Sequence, residues 1–128
     1  LTTELLAPAG GREALVAAVQ SGADAVYMGF GAFNARRSAR NFSDEEFRAA
    51  VSYCHLRGVK VYLTLNTLVT DRELPALAAE ARTASECGVD AILVQDWGVL
   101  ATLQKIIPGA ALRRCGWTEH PAAPPPAR

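Results

Sequence analysis

The chain has 128 residues, 13 of them Lys or Arg and 13 Asp or Glu, for a formal net charge of zero; it is the size of one ordinary domain. Half of the residues are apolar and a fifth are charged, which excludes a wholly disordered chain and a protein whose binding is dominated by phosphate contacts. No apolar run approaches the roughly 18 residues of a membrane span, the first residues, with Glu4 and Arg12, do not read as a secretory signal, and three cysteines without framework spacing fit a reduced, cytoplasmic setting.

The first strand is expected over residues 4–7, followed by the turn Pro8-Ala9-Gly10-Gly11. A helix over residues 12–21 then buries Leu15, Val16 and Val19 and stops at Gly22. The second strand, residues 24–28, ends at Gly29 and opens the longest loop, which carries Asn34, Arg36, Arg37, Arg40 and Asn41. The second helix has the best local signals. Ser43 can cap it, Glu46 can close a capping box, and Phe42 and Phe47 fall at the staple positions. Phe47, Ala50, Val51 and Cys54 make one apolar stripe, and Gly58 supplies a left-handed stop. The third strand, residues 59–65, ends at Asn66. In the third helix Leu74, Leu77, Ala78 and Ala81 form the stripe. Thr70 with Glu73 reads as a capping box while Pro75 prefers the first helical position, so two starts compete. The fourth strand, residues 89–94, runs into Gln95 and Asp96. Asp96 can cap a fourth helix over residues 97–107, and Pro108-Gly109 ends it.

Alternating strand and helix implies a parallel sheet with right-handed crossovers. An open doubly wound sheet and part of a (β/α)8 barrel both fit. The nucleotide-binding signals are absent, since neither GxGxxG nor GxxxxGK[ST] occurs. A complete barrel needs roughly 250 residues, so four units make half of one. Half a barrel has two open strand edges, which invite self-association or cover from another chain. A short echo, Gly22-Ala23-Asp24-Ala25 against Gly88-Val89-Asp90-Ala91, falls twice where a helix gives way to a strand.

From residue 113 the texture changes. Four of the seven prolines fall in the last eight residues, and such a segment reads as a disordered tail. Cys115 and His120 are too few for a structural zinc site, so no metal is expected. Arginine supplies 11 of the 13 basic residues and alanine appears 24 times, a bias that fits a GC-rich gene.

Several segments, in order, carry a resemblance. They are Glu4-Leu5-Leu6-Ala7-Pro8-Ala9-Gly10, then Gly22-Ala23-Asp24-Ala25-Val26-Tyr27-Met28-Gly29, then Phe33-Asn34-Ala35-Arg36 and Asn41-Phe42-Ser43. The run from Arg57 through Leu65-Asn66-Thr67-Leu68, and Val94-Gln95-Asp96-Trp97-Gly98, complete the set. The chain resembles the N-terminal part of the peptidase U32 family over residues 4 to about 112. That resemblance implies an α/β fold, a partial TIM-type (β/α)8 barrel of about four βα units with parallel strands. Residues 1–112 would be the N-terminal half-barrel. Residues 113–128 would be a disordered, out-of-frame tail, because the family's fifth strand is replaced here by Arg113-Arg114-Cys115. The family is named for a collagenase-like protease, yet relatives take part in hydroxylating transfer RNA, ribosomal RNA or ubiquinone. Some use an iron–sulfur cluster on cysteines well beyond this chain's end, so no cofactor is expected within residues 1–128.

The working face of such a barrel is the C-terminal rim of its strands. On that rim Asn34, Arg36, Asn41, Asn66, Gln95 and Asp96 are the substrate-binding candidates. An arginine fork suits a small carboxylate or an RNA phosphate, and amides suit polar substrate groups. Asp96 also fits as a helix cap. A peptidase needs a nucleophile with a positioned base. Cys54 and His55 are adjacent on a helix and diverge by about 100°; Ser43 is explained as a cap, and no triad is found. Cys54 and Cys87 read as core thiols. Three functions remain open: the truncated N-terminal part of an RNA- or ubiquinone-hydroxylation factor, a peptidase, and a non-catalytic fragment.

Overall fold

Strand and helix alternate through the residues that the computed structural model describes, 3–31 and 42–114. The elements are β1 (Leu6–Pro8), α1 (Arg12–Gln20), β2 (Ala25–Gly29), α2 (Asp44–His55), β3 (Lys60–Leu65), α3 (Leu74–Glu86), β4 (Ala91–Val94), α4 (Trp97–Ile106) and β5 (Leu112–Arg114). The strands form one parallel sheet in the order β1-β2-β3-β4-β5. This sequential order separates the two expected architectures. Right-handed crossovers that always advance the same way lay every helix on one face. A doubly wound sheet reverses direction and carries helices on both faces. The chain is wound as a barrel is, with five neighbouring strands present.

Strand alternation divides the apolar residues between the two faces. Val26, Met28, Val61, Leu63, Leu65, Ile92 and Val94 join Leu15, Phe47, Val51, Leu77, Ala81, Val99 and Leu103 from the helices in one core. The opposite, concave face holds a second group made by strands alone: Ala25, Tyr62 and Ala91, with Tyr27 and Leu93 against them. Both faces are apolar, so the strands show little hydropathy alternation in sequence.

Local signals explain most element ends. Glu46 N–H donates to Ser43 Oγ at 3.3 Å and Ser43 N–H donates to Glu46 Oε2 at 2.9 Å, the expected capping box. Phe42 and Phe47 are both buried, and the Phe30 ring lies 4.9 Å from that of Phe47. At α3 the proline wins. The helix starts at Leu74 with Pro75 in its first two positions, where a missing N–H costs nothing. Thr70 and Glu73 close a turn ahead of it, with Thr70 N–H donating to Glu73 Oε1 at 3.0 Å.

The echoed tetrapeptides form the same joint twice. At the first, Leu5 N–H donates to Asp24 Oδ2 at 2.7 Å while Asp24 N–H donates to Leu5 O at 2.9 Å. At the second, Val61 N–H donates to Asp90 Oδ2 at 2.7 Å while Asp90 N–H donates to Val61 O at 2.8 Å. Each joint follows a glycine with positive φ, Gly22 at 92° and Gly88 at 91°, which ends the helix and aims the chain into the next strand.

One expectation is corrected. Arg113 and Arg114, read as the start of the tail, belong to β5 and pair with Leu93 and Val94. Ile92 N–H donates to Ala111 O at 2.8 Å, Leu112 packs on the outer core, and the Arg113 guanidinium lies 4.7 Å from the centre of the Tyr62 ring. These contacts hold a strand that propensity alone does not announce. The rest of the expected tail, with Cys115 and His120, lies outside the described residues.

Candidate functional site at the C-terminal rim

The C-terminal ends of the strands gather residues 8–11, 29–31, 66–71 and 95–97 on one rim. Asn66 and Gln95 each follow the last paired residues of neighbouring strands, Leu65 and Val94. Alternation sets both on the concave register, in line with Thr64 and Leu93. Asn66 is half-buried and Gln95 is exposed. Below them Thr64 Oγ1 donates to Met28 O at 3.2 Å, tying β3 to β2.

Asp96 is the most heavily engaged of the candidates. Its Oδ1 accepts from Gly98 N–H at 2.7 Å and Val99 N–H at 3.3 Å, and its Oδ2 accepts from Val69 N–H at 3.1 Å. The cap expected for α4 is therefore present, and the same carboxylate holds the β3–α3 loop. These bonds, that of Val69 first, keep its pKa below the ordinary carboxylate value. A carboxylate held in this way is a framework group. It joins the β3–α3 loop to the start of α4, while the pairing of Leu65 with Val94 sets Asn66 and Gln95 at neighbouring strand ends.

Asn34, Arg36 and Asn41 lie outside the described residues. The point where their loop leaves β2 is described. Gly31 has φ 66°, a left-handed conformation that favours glycine, and a β-carbon there would displace the end of the Glu80 side chain of α3.

A polar group that sequence reasoning missed occupies the concave face. Tyr62 Oη donates to Glu4 Oε1 and Oε2, both at 2.8 Å. Arg113 stacks on the same ring and sits 3.7 Å from Glu4 Oε1. Tyr62 is 1% exposed, and burial, then the Glu4 bond, raises its pKa. The available signal was the parity of β3, in which Tyr62 and Thr64 alternate with Val61, Leu63 and Leu65.

The two described thiols, Cys54 and Cys87, are not poised for nucleophilic work. Cys54 is fully buried, and burial pushes its pKa up to about 11; burial also raises that of Cys87. His55 turns away from Cys54 and bonds Asp90 Oδ2 through Nε2 at 2.8 Å, at the opposite end of the sheet from the rim. Among the described residues no three His, Cys, Asp or Glu side chains converge as metal ligands. No described helix is long and apolar enough to cross a membrane.

Comparison with known proteins identifies the family and the fold. The family model for peptidase family U32 matches residues 10–114. A collagenase of Porphyromonas gingivalis is 38% identical over 94 residues, covering 73% of this chain and 23% of its own length. The 23S rRNA 5-hydroxycytidine C2501 synthase of Escherichia coli is 42% identical over 99 residues, 76% of this chain and 15% of that protein. The tRNA hydroxylation protein P1 of Bacillus subtilis is 34% identical over 105 residues, 82% of this chain and 25% of that protein. The chain thus spans a quarter or less of the length of these relatives. A solved U32 peptidase superposes with a TM-score of 0.64 at 18% identity, over 88% of this chain and 47% of that one.

Proposed function

Because the chain belongs to peptidase family U32, we propose that it is the N-terminal half of a U32-type barrel whose whole protein takes part in hydroxylating transfer or ribosomal RNA in the cytoplasm. The observation that carries this reading is the 42% identity to a ribosomal RNA hydroxycytidine synthase, over a stretch that includes β3, β4 and their rim ends. The chemistry of the described residues is compatible with it. Asn66 and Gln95 offer amide donors and acceptors suited to a nucleobase edge or a small carboxylate, and Asp96 holds their loops in register. Asn34, Arg36 and Asn41 complete the binding rim in this reading, with Arg36 taking a carboxylate or phosphate. Any iron–sulfur cluster of the whole protein takes its ligands from outside the described residues.

Deleting the gene from its native host and analysing RNA nucleosides by mass spectrometry tests the proposal. Loss of one hydroxylated nucleoside, restored by the gene, is expected; an unchanged profile overturns it. The collagenase relative favours a second reading, proteolysis. It requires a nucleophile other than Cys54, which is buried as a thiol and is not served by His55, bound to Asp90 at the far end of the sheet. Gelatin hydrolysis by purified protein, absent from a contaminant-controlled blank, would establish it.

A further inference from the structure

Two large apolar side chains stand in the open at the C-terminal rim. Leu68 is 73% exposed and Trp97 is 59% exposed. Neither follows an outer strand of the sheet. Leu68 comes after β3, which pairs with β2 and β4, and Trp97 comes after β4, which pairs with β3 and β5. Neither belongs to the core. Val99 and Leu103 are the buried positions of α4, and Trp97, two residues before Val99, stands about 200° around the helix from it. Packing within the fold therefore does not account for an indole and an isobutyl group at these places.

One bond holds the two together. Val69 N–H, from the residue after Leu68, donates at 3.1 Å to Oδ2 of Asp96, the residue before Trp97. Bond lengths along that path keep the α-carbons of Leu68 and Trp97 within about 13 Å of each other, close enough for one planar ring to reach both side chains. The same spacing recurs on both strands. Asn66 stands two residues before Leu68, and Gln95 two residues before Trp97. The two amides follow the paired residues Leu65 and Val94. Each strand end thus sets an amide beside an apolar surface.

We propose that Trp97 and Leu68 are the stacking platform of this rim, on which an unpaired RNA base lies while Asn66 and Gln95 meet its edge. A nucleobase uses both halves of the arrangement, its flat face on the indole and its donors and acceptors on the amides. An apolar peptide surface would cover the two apolar side chains and leave the amides without partners. At a formal net charge of zero the chain has no excess of positive charge to hold RNA by its phosphates alone, so base contacts carry more of the affinity. The inference rests on the RNA reading above and names the side chains that would hold the base.

Two measurements test it. In the first, the 128-residue chain carrying Trp117→Phe, which leaves Trp97 as its one tryptophan, is titrated with a nine-nucleotide single-stranded oligocytidine RNA while indole fluorescence is read. Quenching is expected, and an abasic strand of the same length should give none. With labelled RNA, Trp97→Ala should weaken binding about tenfold, Leu68→Ala less, and Trp97→Phe should keep most of the affinity. Both positions are exposed, so thermal melts of the variants should match the native chain; if Trp97→Ala lowers the melting temperature, Leu68→Ala decides in its place. In the second, the gene-deletion strain is complemented with each variant at equal protein level and its RNA nucleosides are measured. Trp97→Ala should restore about a tenth of the hydroxylated nucleoside or less, and Trp97→Phe most of it. A nucleoside lost on deletion and fully restored by Trp97→Ala overturns this inference and leaves the RNA reading standing; a profile unchanged by deletion overturns both. Absence of quenching by RNA, equal quenching by the abasic strand, or quenching by a proline-rich peptide in place of RNA would each overturn the platform as well.

Discussion

Asp96 condenses into one side chain the question of what a rim carboxylate is for. Its two oxygens accept three backbone N–H groups, so its negative charge is favoured in the fold. Asp96→Ala should cost about 1–3 kcal/mol, from the lost cap and the Val69 amide left without its partner; chemical denaturation would measure it. Its depressed folded-state pKa sets the direction with pH. The stabilisation is present above the ordinary Asp pKa and is lost as pH falls through the folded value. The stability gap between the native chain and Asp96→Asn should therefore narrow in acid. Cys54 has the opposite sign. Its pKa rises from 9.0 to about 11, so burial of the neutral thiol stabilises the fold below pH 9 and that contribution fades towards pH 11. Cys54→Ala should show a flatter stability curve across that window. At this scale the sequence was partly legible. The Asp96 cap follows from its place before an apolar run, whereas its bond to Val69 joins residues 27 apart and has no local signature.

At the scale of elements, the joints at Asp24 and Asp90 explain how neighbouring strands keep register. Both carboxylates accept an N–H from the start of the preceding strand. The corresponding place at β3 is its first residue, Lys60, after Gly58 with its φ of 72°. A carboxylate there would find no partner, because Asp24 N–H already donates to Leu5 O. The joints therefore fall at β1–β2 and β3–β4. Asp90→Ala should lower stability by about 1–2 kcal/mol. His55→Ala, which removes only a half-exposed pair and leaves the Val61 bond, should stay below about 1 kcal/mol; thermal melts of the two variants check the order. Helix boundaries were read well where a side chain caps its own helix, as Ser43 does. They were read poorly where two local signals competed, as at Thr70 and Pro75. β5 was missed because three residues with two arginines show no strand pattern, and only Tyr62, 51 positions earlier, gives Arg113 a surface to lie on.

For the molecule as a whole, winding order was the property that sequence could not supply. The alternation of elements was legible, and so was the absence of nucleotide-binding loops. The choice between an open sheet and a barrel rests on whether successive strands are neighbours. That is decided by crossovers and by the apolar character of both sheet faces, which leaves no alternation to read. Family resemblance supplied the choice, and the order β1-β2-β3-β4-β5 accords with it. The rim candidates on β3 and β4 stand side by side for the same reason. The concave group of Glu4, Tyr62 and Arg113 could not be foreseen, since it joins the two outermost strands of the sheet through the central one.

The bond from Val69 to Asp96 also bears on how this protein can be re-engineered. Because the donor is a main-chain amide, any residue but proline serves at position 69, and the bond survives wide variation in the loop's side chains. It does not survive a change of length on either side. A chimera that imports a β3–α3 loop from another protein should keep its shape only when the graft preserves the spacing to residue 69 and the recipient retains the aspartate at 96.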